Sequence, residues 1–205
     1  MARPFSENYD DVMKYAKEEF LQKGFKDASL RNIAQKARVT TGLIYSRFSN
    51  KEELFSAVVS PVLDKFNKSF FESLEDFNQK EVYEEIEIRK DYSTGELFCM
   101  IEYIYEHFDI FKILVTGSDG TKYKYFIDKM VELEEEYTKL YIKKTGNDCY
   151  EKGRLSDELL HILTTAFFNG VFEVVKHHMP KDQAIVYITQ LNEFYNYGWK
   201  NIFKE

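Results

Sequence analysis

Apolar residues recur at helical spacing along almost the whole chain, and the points where the recurrence resets divide it into helices. Tyr9, Val12, Met13, Ala16 and Phe20 draw a stripe that predicts a first helix, capped by Ser6 and stopped at Gly24 in the left-handed conformation that glycine tolerates. Residues 1–5 precede it as a loose arm in which Arg3 can touch a phosphate. Leu30, Ile33, Ala34 and Ala37 predict a second, short helix capped by Ser29. Val39 falls in a tight turn, and a third helix begins at Thr40 or Thr41 with Ile44 and Phe48 facing inward. Asn50 and Glu53 make an Asn version of the capping box, starting a fourth helix at Lys51. Leu54, Phe55, Val58, Val59, Val62, Leu63 and Phe66 carry that helix onward, with Pro61 expected to bend it.

Beyond residue 66 the pattern stays helical. Residues 67–92 are strongly charged, as in Glu81 to Glu87, and read as a solvated helix with one apolar edge. Thr94-Gly95 is expected to start another, with Leu97, Phe98, Ile101, Ile104, Tyr105 and Phe108 inward. Its continuation, Phe111 to Val115, ends at a Gly117-Ser118-Asp119-Gly120 turn that lacks phosphate-loop spacing. A long helix follows from Lys122 to about Lys144, closed by Thr145-Gly146-Asn147-Asp148. The last two helices are expected at 154–178 and 181–203, divided by Met179-Pro180. Each is apolar around much of its circumference and needs more partner surface than one subunit offers. Leu159, Leu163, Ala166 and Gly170 on one, with Leu191, Tyr195 and Gly198 on the other, are the expected seam of a two-fold dimer.

Three prolines and nine glycines in 205 residues agree with an all-α chain large enough for one or two small domains. No apolar run reaches the length of a membrane span and no apolar signal region opens the chain, so a cytoplasmic protein without a membrane partner is expected. Cys99 and Cys149 are too few and too far apart for a disulfide framework and read as reduced thiols. The net charge of −7 argues against nucleic acid until the chain is split. Residues 1–50 hold nine Lys or Arg and six Asp or Glu, a balance of +3, which leaves −10 for the rest. A basic head on an acidic body suits a protein that docks on phosphates by one end.

Two short helices around a tight turn, with a polar outer face on the second, make a helix-turn-helix whose second helix can enter a DNA major groove. Residues 1–51 resemble the DNA-binding domain of the tetracycline-repressor (TetR) family of one-component bacterial regulators. The likeness rests on an ordered set. It comprises Phe20-Leu21-Gln22-Lys23-Gly24-Phe25, Ser29 to Ala34, Val39-Thr40-Thr41-Gly42, Ile44-Tyr45-Ser46-Arg47-Phe48 and Ser49 to Leu54. It implies a helix-turn-helix domain over 1–51 and a helical ligand-binding and dimerisation domain over 52–205. It also implies double-stranded operator DNA, a second copy of the chain and a small-molecule effector as partners. Arg31, Thr41, Tyr45 and Arg47 are the implied residues near bases, with Thr40, Gly42 and Lys51 holding the backbone and Ser46 also among the DNA-binding residues. Two positions depart from the family: Arg38 stands where relatives carry glycine, and Arg47 where they often carry histidine.

No catalytic or metal constellation emerges, and no cofactor is implied. His107, His161 and the His177-His178 pair lack ligand spacing, since adjacent helical residues point about 100° apart. Glu134-Glu135-Glu136 reads as a wet helix face. Aromatic residues make up 17% of the chain and most lie beyond residue 66. If Phe98, Tyr105, Tyr123, Phe126, Phe167, Phe168 and Phe172 converge, they line an apolar cavity for a flat or greasy ligand. The expected function is a ligand-responsive transcriptional regulator, most simply a repressor that a small molecule releases from a palindromic operator. The competing reading is an aromatic-pocket binding protein or enzyme without DNA binding.

Overall fold

The computed structural model describes the backbone of residues 5–79 and 86–204 and the side chains of residues 8–79 and 95–204. Arg3 and the run from Glu81 to Glu85 lie outside them. All regular structure among the described residues is helical: α1 Phe5–Asp27, α2 Leu30–Lys36, α3 Thr41–Tyr45, α4 Lys51–Gln79, α5 Ile86–Glu106, α6 Phe108–Gly117, a short 3-10 turn Lys122–Tyr125, α7 Phe126–Thr145, α8 Asp157–Lys176 and α9 Lys181–Phe203.

Contacts divide the chain into two compact units, residues 1–65 with 107–124 and residues 66–106 with 125–205. In the first, Val12, Ala16 and Phe20 of α1 are buried together with Ile33 of α2, Ile44 of α3 and Phe55 of α4. Apart from Ala16, each of these fully buried side chains contributes roughly 1.5–3 kcal/mol. Phe20 and Phe25 meet the edge of Phe55 at 5.0 and 5.4 Å, and Tyr123 lies 5.8 Å from the same ring. The helix α6 packs its buried Phe111, Ile113 and Leu114 into this unit. The sequence pattern makes it a continuation of the preceding helix; the backbone instead breaks at His107 (φ −119°, ψ 33°) and starts again. Gly24 and Gly117 let α1 and α6 approach closely, for a Cβ on Gly117 would lie 3.2 Å from the Gly24 α-carbon. Gly24 has the expected positive φ of 69°, but its ψ of 173° is extended, and one more helical turn runs on to Asp27.

Other boundaries shift for local reasons. Ser6 lies inside α1 rather than ahead of it, α4 runs through Pro61 to Gln79, and α5 begins at Ile86 rather than at Thr94. Gly146 closes α7 in the left-handed conformation (φ 65°, ψ 27°), its N–H donating to Ile142. Ser156 caps α8 through the Leu159 N–H at 3.2 Å, so that helix starts at Asp157.

The second unit is built on α8, where Leu160, Phe168, Val171, Phe172, Val174 and Val175 are buried. By length and composition α8 could cross a membrane. Here it is a core helix, with Phe172 edge-on to Phe126 of α7 at 5.2 Å and Phe168 edge-on to Phe70 of α4 at 5.7 Å.

Candidate nucleic-acid interface

The first unit fixes α2 and α3 from beneath and from both ends. Ile33, Ala34, Ala37, Ile44 and Phe48 are buried on the inner side of the pair. The Ser29 hydroxyl accepts the Asn32 N–H at 3.4 Å, and the Thr40 hydroxyl accepts the Leu43 N–H at 3.2 Å. Both caps satisfy donors that a helix start leaves open. Glu19 of α1, only 3% exposed, anchors α2 as well. Its Oε1 accepts the Ser29 backbone N–H at 3.2 Å and the Asn32 side-chain amide at 3.3 Å, while the Lys36 ammonium lies 3.9 Å from Oε2. Sequence reasoning did not single out this residue, although a carboxylate three positions after Ala16 in an apolar stripe was the available signal.

Between the helices Arg38 takes φ 56°, the left-handed conformation that a glycine would occupy more cheaply.

What remains outward is a compact polar face. Arg31, Thr40, Gly42, Ser46 and Arg47 are exposed, Thr41 is half-buried, and Tyr45 is 54% exposed. Thr41 and Tyr45 stand four apart and so share one face of α3. The Ser46 hydroxyl donates to the Leu43 carbonyl at 2.7 Å and closes that helix. At the start of α4, Asn50 Oδ1 accepts the Glu53 N–H at 2.9 Å. The Glu53 carboxylate accepts the Ser49 hydroxyl at 2.7 Å and the Ser49 N–H at 2.6 Å. These two bonds, the side-chain one first, hold its carboxyl below the usual carboxylate range.

Lys51, which the resemblance puts at the DNA backbone, has its ammonium engaged within the domain. Its ammonium donates to the Lys26 carbonyl at 2.9 Å and the Ala28 carbonyl at 3.1 Å, and lies 4.7 Å from the centre of the Phe25 ring. The cation is spent on carbonyls left open where α1 ends, which ties α4 to the turn before α2.

In the second unit the expected convergence of seven aromatic rings is corrected. Two cavities, of about 410 and 240 Å³, share Leu74, Phe77, Glu134, Phe167 and Asn192 in their walls. Phe167 lines both and Phe168 the larger. Phe98 is 47% exposed and lines neither, although its neighbours Leu97 and Cys99 line the larger one. Tyr105 donates its hydroxyl to Met179 at 2.7 Å, and Phe126 and Phe172 are occupied with each other. Tyr123 belongs to the first unit, its hydroxyl 2.5 Å from that of Ser56. Helical stripes show which residues point inward, not which inward residues leave a space. Glu134 corrects the wet-face reading of Glu134-Glu135-Glu136, because it lines both cavities.

The expected dimer seam divides likewise. A Cβ on Gly170 would lie 3.1 Å from Leu191 Cδ2, and Tyr187 donates its hydroxyl to the Gly170 carbonyl at 3.1 Å. Tyr195 stacks edge-on to Phe167 at 5.0 Å, and Leu163 lines the smaller cavity. Gly170, Leu191, Tyr195 and Leu163 thus serve contacts within one chain. Leu159 (38% exposed), Ala166 and Gly198 do face outward, with Ile162, Val186, Phe194 and Tyr197 beside them in the sequence of α8 and α9.

Residues 12–58 match the profile of bacterial regulatory proteins of the tetR family. The chain is 23% identical over 180 residues to the HTH-type transcriptional regulator YhgD of Bacillus subtilis, covering 85% of this chain and 88% of YhgD. It is 24% identical over 179 residues to the HTH-type regulator SAUSA300_2515 of Staphylococcus aureus, covering 87% and 89% of the two chains. Among solved structures it resembles the TetR-family regulator PfmR of Thermus thermophilus, with a TM-score of 0.57, 15% identity and coverage of 89% and 97%. It also resembles NalD of Pseudomonas aeruginosa, the secondary repressor of a multidrug efflux pump, with a TM-score of 0.55, 18% identity and coverage of 91% and 95%.

Proposed function

We propose that this chain, a DNA-binding transcriptional regulator of the TetR family, acts as a dimeric repressor that a small molecule releases from its operator. The observation that carries the reading is the polar face of α3. It is short, capped at Thr40 and pinned by buried Ile44, and it carries half-buried Thr41 and exposed Tyr45. Exposed Arg47 and buried Phe48 follow its C-cap at Ser46 rather than lying on the helix as the sequence suggested. In this reading Arg31, Thr41, Tyr45 and Arg47 meet base edges. Thr40, Gly42 and Ser46 follow the phosphate backbone, and Lys51 supports the domain. Residues 1–51 bear the DNA contacts, and residues 52–205 hold the dimer surface and the effector.

One α3 reads about half of a site, so two copies related by a two-fold axis fit a palindrome with half-sites one or more helical turns apart. The outward apolar residues of α8 and α9 support pairing through those helices. The cavities of the second unit support an effector site in the body of the chain. Fluorescence anisotropy on the duplex upstream of its own gene, against a scrambled duplex, tests the reading. Binding at least about a thousandfold tighter to the upstream duplex is expected. Equal affinity for both would remove sequence recognition from the account.

A further inference from the structure

The two adjoining cavities of the second unit are walled mostly by aromatic and aliphatic side chains, among them Phe77, Tyr137, Tyr141, Phe167 and Trp199. Into this wall α7 projects one carboxylate, Glu134, shared by both spaces. Among the described residues it has neither a hydrogen-bond donor nor a salt-bridge partner. Its neighbours in sequence are placed otherwise: Glu135 pairs with His161 at 2.7 Å, and Glu136 is exposed. A carboxylate that lines a largely apolar cavity without a protein donor is costly to keep ionised, and proteins rarely leave one so. We propose that the cavity binds an apolar or aromatic molecule carrying one positive charge, with Glu134 as its counter-ion and the surrounding rings as its walls. This rests on the cavity being the effector site of the regulator proposed above.

Three features support that choice of ligand. A cation gives the carboxylate the partner that the protein withholds, and it gains from the faces of electron-rich rings. A neutral ligand leaves the carboxylate unpaired, and an anion adds repulsion. The combined space suits a molecule of drug-like size. Burial alone pushes the Glu134 carboxyl up to about 7. A bound cation therefore favours the ionised form of this half-buried carboxyl. The other charged groups in these walls are Glu96 at the larger cavity and Lys200 at the smaller; the tyrosines there are Tyr103, Tyr137, Tyr141 and Tyr195. The two charged groups oppose each other in sign. Neither is within ion-pair distance of Glu134 among the described residues, and the thiol of Cys99 also lines the larger cavity.

The test uses a permanently charged probe, so that only the protein titrates. (2-Naphthylmethyl)trimethylammonium is compared with its uncharged isostere 2-neopentylnaphthalene and with the anion 2-naphthylacetate, by calorimetry on the full-length protein without DNA. At pH 8 the cation is expected to bind about tenfold or more tightly than the isostere, and the anion weakest. Affinity for the cation should fall as the pH drops from 8 to 6 and Glu134 takes up its proton, while affinity for the isostere stays flat. Glu134→Gln keeps the volume, so it should lose the cation preference and its pH dependence yet still bind the isostere. Lys200→Glu should strengthen cation binding without removing the dependence on pH. Equal binding of cation and isostere, tightest binding of the anion, no binding of any probe, or an unchanged Glu134→Gln would each overturn the proposal. Release from DNA is read separately: a probe that binds through Glu134 but leaves the DNA complex intact overturns the effector reading and leaves the site standing.

Discussion

At Arg38 a left-handed φ of 56° is imposed on a residue with a β-carbon, at a cost of about 1–2 kcal/mol relative to ordinary helical angles. Arg38→Gly removes that strain but adds glycine's entropy to the unfolded chain, so a gain of no more than about 1 kcal/mol is expected. Urea melts of the two proteins measure it, and a less stable variant would show that the guanidinium contributes more than the strain costs. Lys51 and Arg31 separate by where their charges are used. Lys51 bonds two carbonyls inside the domain, so Lys51→Ala should cost about 1 kcal/mol of stability and leave the salt dependence of DNA binding nearly unchanged. Arg31 is exposed, and its guanidinium is held by no acidic partner among the described residues. Arg31→Ala should cost roughly 1–3 kcal/mol on the operator if its fork reads a guanine edge, and relax preference at one position per half-site. A loss equal on operator and scrambled duplexes would put Arg31 on the phosphate backbone instead.

Among the elements, α8 and α9 carry the test of association. Phe194 is 73% exposed, so Phe194→Glu should weaken the dimer without disturbing the fold. Gly170 sits against Leu191 of its own chain, so Gly170→Arg should lower thermal stability instead. Sedimentation and melting together distinguish the two, and an unchanged dimer for Phe194→Glu would move the seam elsewhere. The elements also show what the amino-acid order discloses. α2 and α3 were legible because caps, turn and apolar spacing all lie within twenty residues of one another and agree. The break before α6 was not, because α6 finds its partner in α1, far away in sequence, and spacing carries no address. Glu134 was half legible: it falls four residues after buried Met130 and three before Tyr137, both on the inner side of α7. Its place beside two other glutamates hid that register.

Across the whole molecule, the proposed release from DNA would require an effector to favour an arrangement of the proposed dimer whose two recognition helices are wrongly spaced for successive major grooves. Linkage then makes operator weaken the effector's affinity by the same factor. In the proposed function the first unit is the reading head, and α1, α6 and the start of α4 bury its aromatic core. The helix α4 contributes residues to both units. The claim beneath all of this is that α3 reads DNA as one of a symmetric pair. Hydroxyl-radical footprinting on the upstream duplex tests it most directly, with wild-type protein beside Tyr45→Ala. The account predicts two protected patches related by a two-fold axis, their centres one or more turns of about 34–36 Å apart, both lost in the variant at the same protein concentration. A single patch, uniform protection, or a pattern unchanged by Tyr45→Ala would contradict it.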